Sequence, residues 1–387
     1  MALIYFTSDG TDSVTTKRIA MFEAAGESVR CFGMVRDTNT ATRVPKSMRV
    51  IAYARNGRLF ARLWAILRGS ITLVLSARRE IRTADVIIAR NLDMLLIAIL
   101  ARVATGSRGL IYYEFLDARL QLTTDTLTGR LLRLVERRAL TSCAGIIVSS
   151  PAYVGRYFRS KQKYFGRTRL LENKLWWQGR DTSCFPRSAE RKRHCWRIGY
   201  VGLLRCQKSL VTLCDLVERR GNVELQLHGV PDPNFLPHFD SVINGRHRIE
   251  YFGRFNYPED LARIYGNVDF VWLPDFSAVG GNSEWLLPNR LYEACAFGAV
   301  PISVEGTETA NWLARRKIGI ILGQDIGHAL DELFSRMTTA QFDSLKAAVC
   351  GLPVDLFEAS ANEVRELVSW LRTSDARCTY SQSPDQE

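Results

Sequence analysis

Apolar positions in this chain come in short unbroken runs, separated by stretches with a helical spacing. Leu3–Phe6 has the length of a buried strand. Thr7–Asp12 reads as a loop, Ser13–Ala25 as a helix stopped by Gly26, and Val29–Phe32 as a second strand. The same rhythm predicts strands at Asp85–Ala89, Gly109–Tyr113 and Gly145–Ser149. Helices are predicted over Leu92–Ala104 and Thr126–Thr141, the latter amphipathic with an arginine-rich face, and Ser150-Pro151 supplies a cap and N1 proline for another. Such strand–helix–strand alternation marks an open parallel sheet.

Residues 159–197 break the rhythm, being basic and holding Trp176, Trp177, Gly179 and Pro186. The alternation then restarts, with strands at Ile198–Val201, Val223–His228, Ile249–Phe252, Val268–Leu273 and Val300–Val304. Helices are expected at Ser209–Arg220, Pro258–Gly266, Leu291–Phe297 and Thr307–Ala314, and a helical tail from Gln341 to Arg372. The expected architecture is α/β, with two tandem Rossmann-like doubly wound domains, 1–180 and 198–355, facing a cleft and joined by a linker at 181–197. A C-terminal helix at 356–372 can cross back to the first domain, and 373–387 reads as a disordered tail.

Composition narrows the class. With 387 residues, 47% apolar and 24% charged, the chain can bury two cores and is too apolar for disorder. Its nine cysteines are scattered with no Cys-x-x-Cys pair, against a disulfide framework or structural zinc and in favour of a reducing compartment. The net charge of +12 is uneven: residues 1–200 hold 35 Lys and Arg against 15 Asp and Glu, and the remainder 17 against 25. A basic half suits an anionic substrate, an anionic membrane surface or nucleic acid. No recognised nucleic-acid module appears, so no nucleic-acid partner is expected. The start lacks a signal-peptide pattern and no stretch offers a clean membrane span, so the expectation is a cytoplasmic protein, soluble or peripheral on the inner face of the plasma membrane. Arg55, Arg58, Arg62, Arg68, Arg78, Arg79 and Arg82 flank or interrupt the apolar stretch around Leu63–Leu75. That segment reads equally as interfacial or as a core helix with snorkelling arginines.

Two segments carry chemistry. In Gly199–Ser209 a strand ends near Gly202, and a loop with Arg205 and Lys208 precedes a helix, an outline suited to a diphosphate. In Gly280–Pro301 a loop (Gly280, Gly281, Asn282, Glu284) leads through Pro288 and Asn289 into a short helix with Arg290 and Glu293. Helix-start amides and Arg290 suit an anion or sugar hydroxyls, and Glu293 suits a diol such as that of ribose; the plain alternative is a surface Arg290–Glu293 pair.

These residues resemble the donor-binding lobe of GT-B fold glycosyltransferases of the retaining family 4 type. That family's Gly-x5-Lys phosphate loop is matched by Gly202 and Lys208, and its late Pro-x-Lys/Arg-x-x-Glu-Ala-x-Ala-x-Gly-x-x-Pro segment by Pro288–Pro301. Arg90-Asn91-Leu92-Asp93, Tyr113-Glu114-x-x-Asp117 and Glu172-Asn173-Lys174 further resemble bacterial exopolysaccharide enzymes of the succinoglycan-assembly kind. The family pairs two glutamates seven residues apart. Here the second is Glu293, but Trp285 stands at the first position and Glu284 lies one residue earlier.

The resemblance implies sugar transfer from a nucleotide diphosphate sugar, most readily a UDP-sugar, to a lipid-linked oligosaccharide or other glycan. Expected catalytic residues are Glu284, Arg205 and Lys208, with donor binding by Gly202, Gly280, Gly281, Asn282, Asn289, Arg290 and Glu293. Acceptor binding falls to Asp12, Arg90, Asn91, Glu114 and Asp117. No Asp-x-Asp metal pair occurs, and Arg205, Lys208 and Arg290 can answer the diphosphate charge instead, so neither metal nor other cofactor is expected. No histidine precedes residue 194. Asp9, Asp12, Glu114 and Asp117 remain as bases for an inverting route, and a retaining route, favoured here, needs none. A non-catalytic assembly subunit and a nucleotide-sugar epimerase or hydrolase are the alternatives.

Overall fold

The structure is a computed structural model. It describes residues 1–35, 48–53, 59–177 and 195–373, with backbone only at 52–53 and 59–67. The chain forms two compact units, Met1–Glu172 with Ser360–Glu387, and Asn173–Ala359.

The first unit runs β1 (Ala2–Thr7), α1 (Ser13–Ala24), β2 (Ser28–Val35), β3 (Met48–Tyr53), α2 (Leu59–Ser76), α3 (Arg78–Arg82), β4 (Val86–Arg90) and α4 (Asn91–Thr105). It continues with β5 (Leu110–Phe115), α5 (Leu120–Thr123), α6 (Leu127–Leu140), β6 (Gly145–Val148), α7 (Pro151–Tyr153), a π-helix at Val154–Gln162, and β7 (Thr168–Leu170). The strands lie in the order β3-β2-β1-β4-β5-β6-β7, all parallel. Every residue of β4 and β6 is buried, as helices on both faces of a parallel sheet require. The order reverses between β1 and β4, so the loops after these strands part there and leave room for a ligand. The edge strands β3 and β7 escape the sequence pattern because polar Arg49, Thr168 and Arg169 interrupt short runs.

The stretch that reads equally as interfacial or as a core helix is only partly described. Arg55 and Arg58 lie outside the described residues, and for Arg62 only the backbone is given. In the described part of α2, Gly69, Ser70 and Leu73 are buried, with Gly69 facing Ile97 of α4, while Arg68, Ile71 and Leu75 are exposed. Among the described residues no helix is long and apolar enough to cross a membrane.

The second unit runs β8 (Trp196–Leu204), α8 (Gln207–Arg219), β9 (Val223–Pro231), α9 (Phe239–Ile243), β10 (Ile249–Gly253), α10 (Leu261–Gly266), β11 (Phe270–Trp272) and α11 (Asn282–Trp285). There follow α12 (Asn289–Ala296), β12 (Val300–Val304), α13 (Glu308–Arg316), β13 (Ile320–Leu322), α14 (Ile326–Arg336) and α15 (Thr339–Cys350). Its parallel sheet has the order β10-β9-β8-β11-β12-β13, reversing between β8 and β11. The expected linker at 181–197 lies outside the described residues up to 194, and Trp196 and Arg197 already belong to β8. The helical tail is not continuous. Gly351 and Pro353 end α15, and a fresh cap at Ser360 starts α16 (Ala361–Arg372). This last helix belongs to the first unit: Tyr112 Oη donates to Leu371 O at 3.0 Å, and the Arg167 guanidinium lies 4.7 Å over the Trp370 ring. The tail expected to be disordered lies outside the described residues from 374.

Candidate active site

In the second unit the site grows from the switch point between β8 and β11. Gly202 (φ 108°) faces Gly229 (φ 136°) across the β8–β9 ladder. A Cβ on Gly229 would stand 1.7 Å from the Gly202 carbonyl oxygen, so the strand ends approach as closely as they do only because residue 229 has no side chain, while Gly202 is favoured by its positive φ. Cys206 then caps α8, its Sγ accepting from the amides of Ser209 (3.4 Å) and Phe276 (3.2 Å), which ties the start of α8 to the loop after β11.

Three cations singled out in the sequence meet the chain at 272–276. Arg205 Nε donates to Asp275 Oδ2 at 2.8 Å, and Asp275 also accepts from Ser277 N (2.8 Å) and Ser277 Oγ (2.5 Å). Burial pushes the Asp275 carboxyl up, but the Arg205 charge and the Ser277 hydrogen bonds outweigh it and hold it below its usual range. The Lys208 ammonium lies 4.6 Å over the Phe276 ring. Arg290 donates through Nε to Trp272 O (3.0 Å) and through Nη2 to Leu273 O (2.6 Å), 5.5 Å from the Tyr200 ring. Arg290 therefore also braces the end of β11.

The glycine loop is closed by its own glutamate. Glu284 Oε1 accepts from the Gly280 amide at 2.6 Å, Gly280 has φ 72°, and Gly281, Asn282 and Ser283 are buried. Trp285, at the position of the family's first glutamate, is a buried side chain. Asn289 opens α12 behind Pro288. One turn on, Glu293 is buried, and its Oε2 accepts from Tyr265 Oη at 2.6 Å. His228, at the end of β9, stacks on Phe252 at 4.5 Å. Burial, then the charge of Arg263, lowers its pKa to about 4, so it is neutral at pH 7.

In the first unit the expected acceptor residues gather at the ends of β1, β4 and β5, mostly as a bonded network. Asp12 caps α1 through Thr15 N (2.7 Å) and meets Arg90 with both oxygens (2.9 and 2.5 Å). Burial opposes the Asp12 charge, yet Arg90 more than compensates and lowers its pKa. Glu114 takes Arg18 Nε (2.8 Å) on one oxygen and Tyr5 Oη (2.5 Å) on the other. Asn91 is set apart, with φ 69° at the start of α4 and a side-chain bond to Ser8 Oγ at 2.9 Å. A left-handed non-glycine residue here is held by its surroundings. Asn91 and Asp117 line a largely apolar cavity of about 250 Å³, walled by Leu92, Leu96, Phe115 and Leu132, with the Asp93–Arg119 ion pair (2.9 Å) beside them.

Asp275, Phe276, Ser277 and Tyr265 were not singled out in the sequence. For Asp275 a signal existed, since Pro274-Asp275 directly follows the run Phe270–Leu273, at the carboxyl end of a buried strand where open α/β sheets place ligands. Nothing local marked Tyr265. Among the described residues no three or more His, Cys, Asp or Glu side chains cluster as a metal site would.

No family model matches the chain. The succinoglycan biosynthesis protein ExoL of Rhizobium meliloti (strain 1021) is 34% identical over 334 residues, covering 84% of this chain and 82% of that protein. Among solved structures, sucrose-phosphate synthase from Thermosynechococcus elongatus is similar with a TM-score of 0.70 at 16% identity, over 95% of this chain and 98% of that one. Anabaena Alr3699/HepE in complex with UDP and glucose follows at 0.66 and 14%, over 95% and 98%. WaaG, a glycosyltransferase involved in lipopolysaccharide biosynthesis, follows at 0.64 and 13%, over 95% and 99%.

Proposed function

The chain belongs to the family of the succinoglycan biosynthesis protein ExoL and has the GT-B fold, and from that premise we propose how this glycosyltransferase of exopolysaccharide synthesis works. The second unit holds a nucleotide diphosphate sugar, with uridine as base, and the first unit receives a saccharide carried on a lipid. The observation that carries this is the gathering of Arg205, Lys208 and Arg290 on 272–276, at the β8–β11 switch point and the start of α8. A diphosphate leaving with its bonding electron pair needs positive charge that is already in place, and these groups supply it without a metal. Asp275 positions Arg205, and Tyr265 orients Glu293, whose carboxylate suits the ribose hydroxyls. Glu284 holds the Gly280 turn so that the Gly281–Asn282 backbone meets the sugar. Uridine is supported by the similar Alr3699/HepE, solved with UDP.

Transfer proceeds with retention. The bond from the anomeric carbon to the leaving phosphate oxygen breaks, the acceptor hydroxyl oxygen bonds the same face, and its proton passes to the departing phosphate. Both oxygens of Asp12 and of Glu114 are engaged by Arg90, Arg18 and Tyr5, which leaves these carboxylates poorly suited as a general base. Titration calorimetry with UDP, GDP and ADP in chelator is the test. UDP alone is expected to bind, with affinity at least about tenfold weaker in Lys208→Ala and Asp275→Asn, a loss of about 1.4 kcal/mol. Failure of the folded protein to bind any of the three without a divalent ion overturns the metal-independent donor site.

A further inference from the structure

Helix α6 is amphipathic in the reverse sense. Its inward face carries Gly129, Arg133, Glu136, Ala139 and Leu140. The buried polar groups are satisfied: Arg133 donates to the carbonyls of Leu122 (3.0 Å) and Thr124 (2.6 Å), and Glu136 accepts from Tyr113 Oη (2.7 Å), Tyr157 Oη and Gln162 Nε2. Leu127, Leu131 and Leu134 point outward instead. Leu127 is 84% exposed, Leu131 61% and Leu134 59%, and a spacing of four and three places them on one stripe. Leu120 of α5 adds a fourth exposed leucine, and the exposed Arg130, Arg137 and Arg138 border the stripe. Leu131 also lines the apolar cavity that reaches Asn91 and Asp117.

We propose that this face of α5–α6 rests on an anionic lipid bilayer, the leucines entering the headgroup boundary and the three arginines meeting lipid phosphates. Leaving leucine side chains in water forgoes burial that a lipid surface would supply. Guanidinium groups among the leucines match a negatively charged layer, whereas a symmetric contact with a second copy would set like charges against each other. The inference stands on the α6 geometry and goes beyond the donor site.

The test is co-sedimentation of the full chain with vesicles of phosphatidylcholine, and of phosphatidylcholine with phosphatidylglycerol in equal parts. The protein is expected to partition onto the anionic vesicles and much less onto the neutral ones, with added salt weakening the effect. A Leu127→Ser/Leu131→Ser/Leu134→Ser variant and an Arg130→Glu/Arg138→Glu variant should each lose about tenfold or more in partitioning while binding UDP as the parent does. Equal partitioning of parent and variants overturns the proposal. So does a leucine variant whose only change, by light scattering, is loss of self-association, since the face would then join two copies. Because UDP titration reads the second unit, vesicle binding and donor binding fail separately.

Discussion

His228 is 2% exposed, its ring stacked on Phe252, and its pKa of about 4 lies below the ordinary value near 6.5. The unfolded chain therefore takes up this proton first as the solution is acidified. The stabilising contribution is complete above about pH 6.5 and shrinks as pH falls toward 4, at about 1.4 kcal/mol per unit. His228→Phe keeps an aromatic ring against Phe252 and removes the proton. Urea midpoints at pH 7 and pH 5 are expected to differ more in the parent than in His228→Phe, and an equal difference would show that this histidine is not the source. At this scale the sequence revealed cations and glycines better than their partners. Arg205 and Lys208 stand out beside a strand end. Asp275, seventy residues further on, meets Arg205 only because β8 and β11 lie side by side in the sheet. Asp12, Arg90 and Glu114 were legible as residues at strand ends, but not as a network whose charges satisfy one another.

The β8–β9 ladder turns a residue preference into an architectural constraint. At Gly229 a side chain meets the Gly202 carbonyl, whereas at Gly280 nothing lies within 4 Å and only the positive φ disfavours a substitution. Gly229→Ala is therefore expected to prevent folding of the second unit or to cost several kcal/mol, while Gly280→Ala costs about 1 kcal/mol. Chemical denaturation ranks the two, and similar small losses would mean that the strand ends can part. The central strands were readable because burial on both faces makes them unbroken apolar runs. The strands β3 and β7 lie at sheet edges, where a half-buried strand tolerates polar residues and the run dissolves, whereas the edge strand β13 is apolar but only three residues long. The tail looked like one helix only on its helical spacing; Gly351 and Pro353, which stand inside it, end α15 before α16 begins.

Over the whole molecule, the chain leaves the first unit at Glu172, builds the second, and returns at Ser360. Each unit has its own parallel sheet and core, so each is expected to unfold in its own transition. The proposed UDP site draws only on residues of the second unit. Saturation at about 100 times Kd should add about 2.7 kcal/mol to that unit, a rise of several degrees in its transition. In α16, Leu371 is fully buried within the first unit, and Leu371→Ala should remove about 2–5 kcal/mol from the other transition. Differential scanning calorimetry on the full chain separates the two effects: UDP raises one transition, Leu371→Ala lowers the other, and together they move the two apart. If both act on a single shared transition, the units are one cooperative fold. If UDP raises the transition that Leu371→Ala lowers and leaves a second one still, the nucleotide is bound by the first unit, and the diphosphate chemistry assigned to Arg205, Lys208 and Arg290 belongs elsewhere.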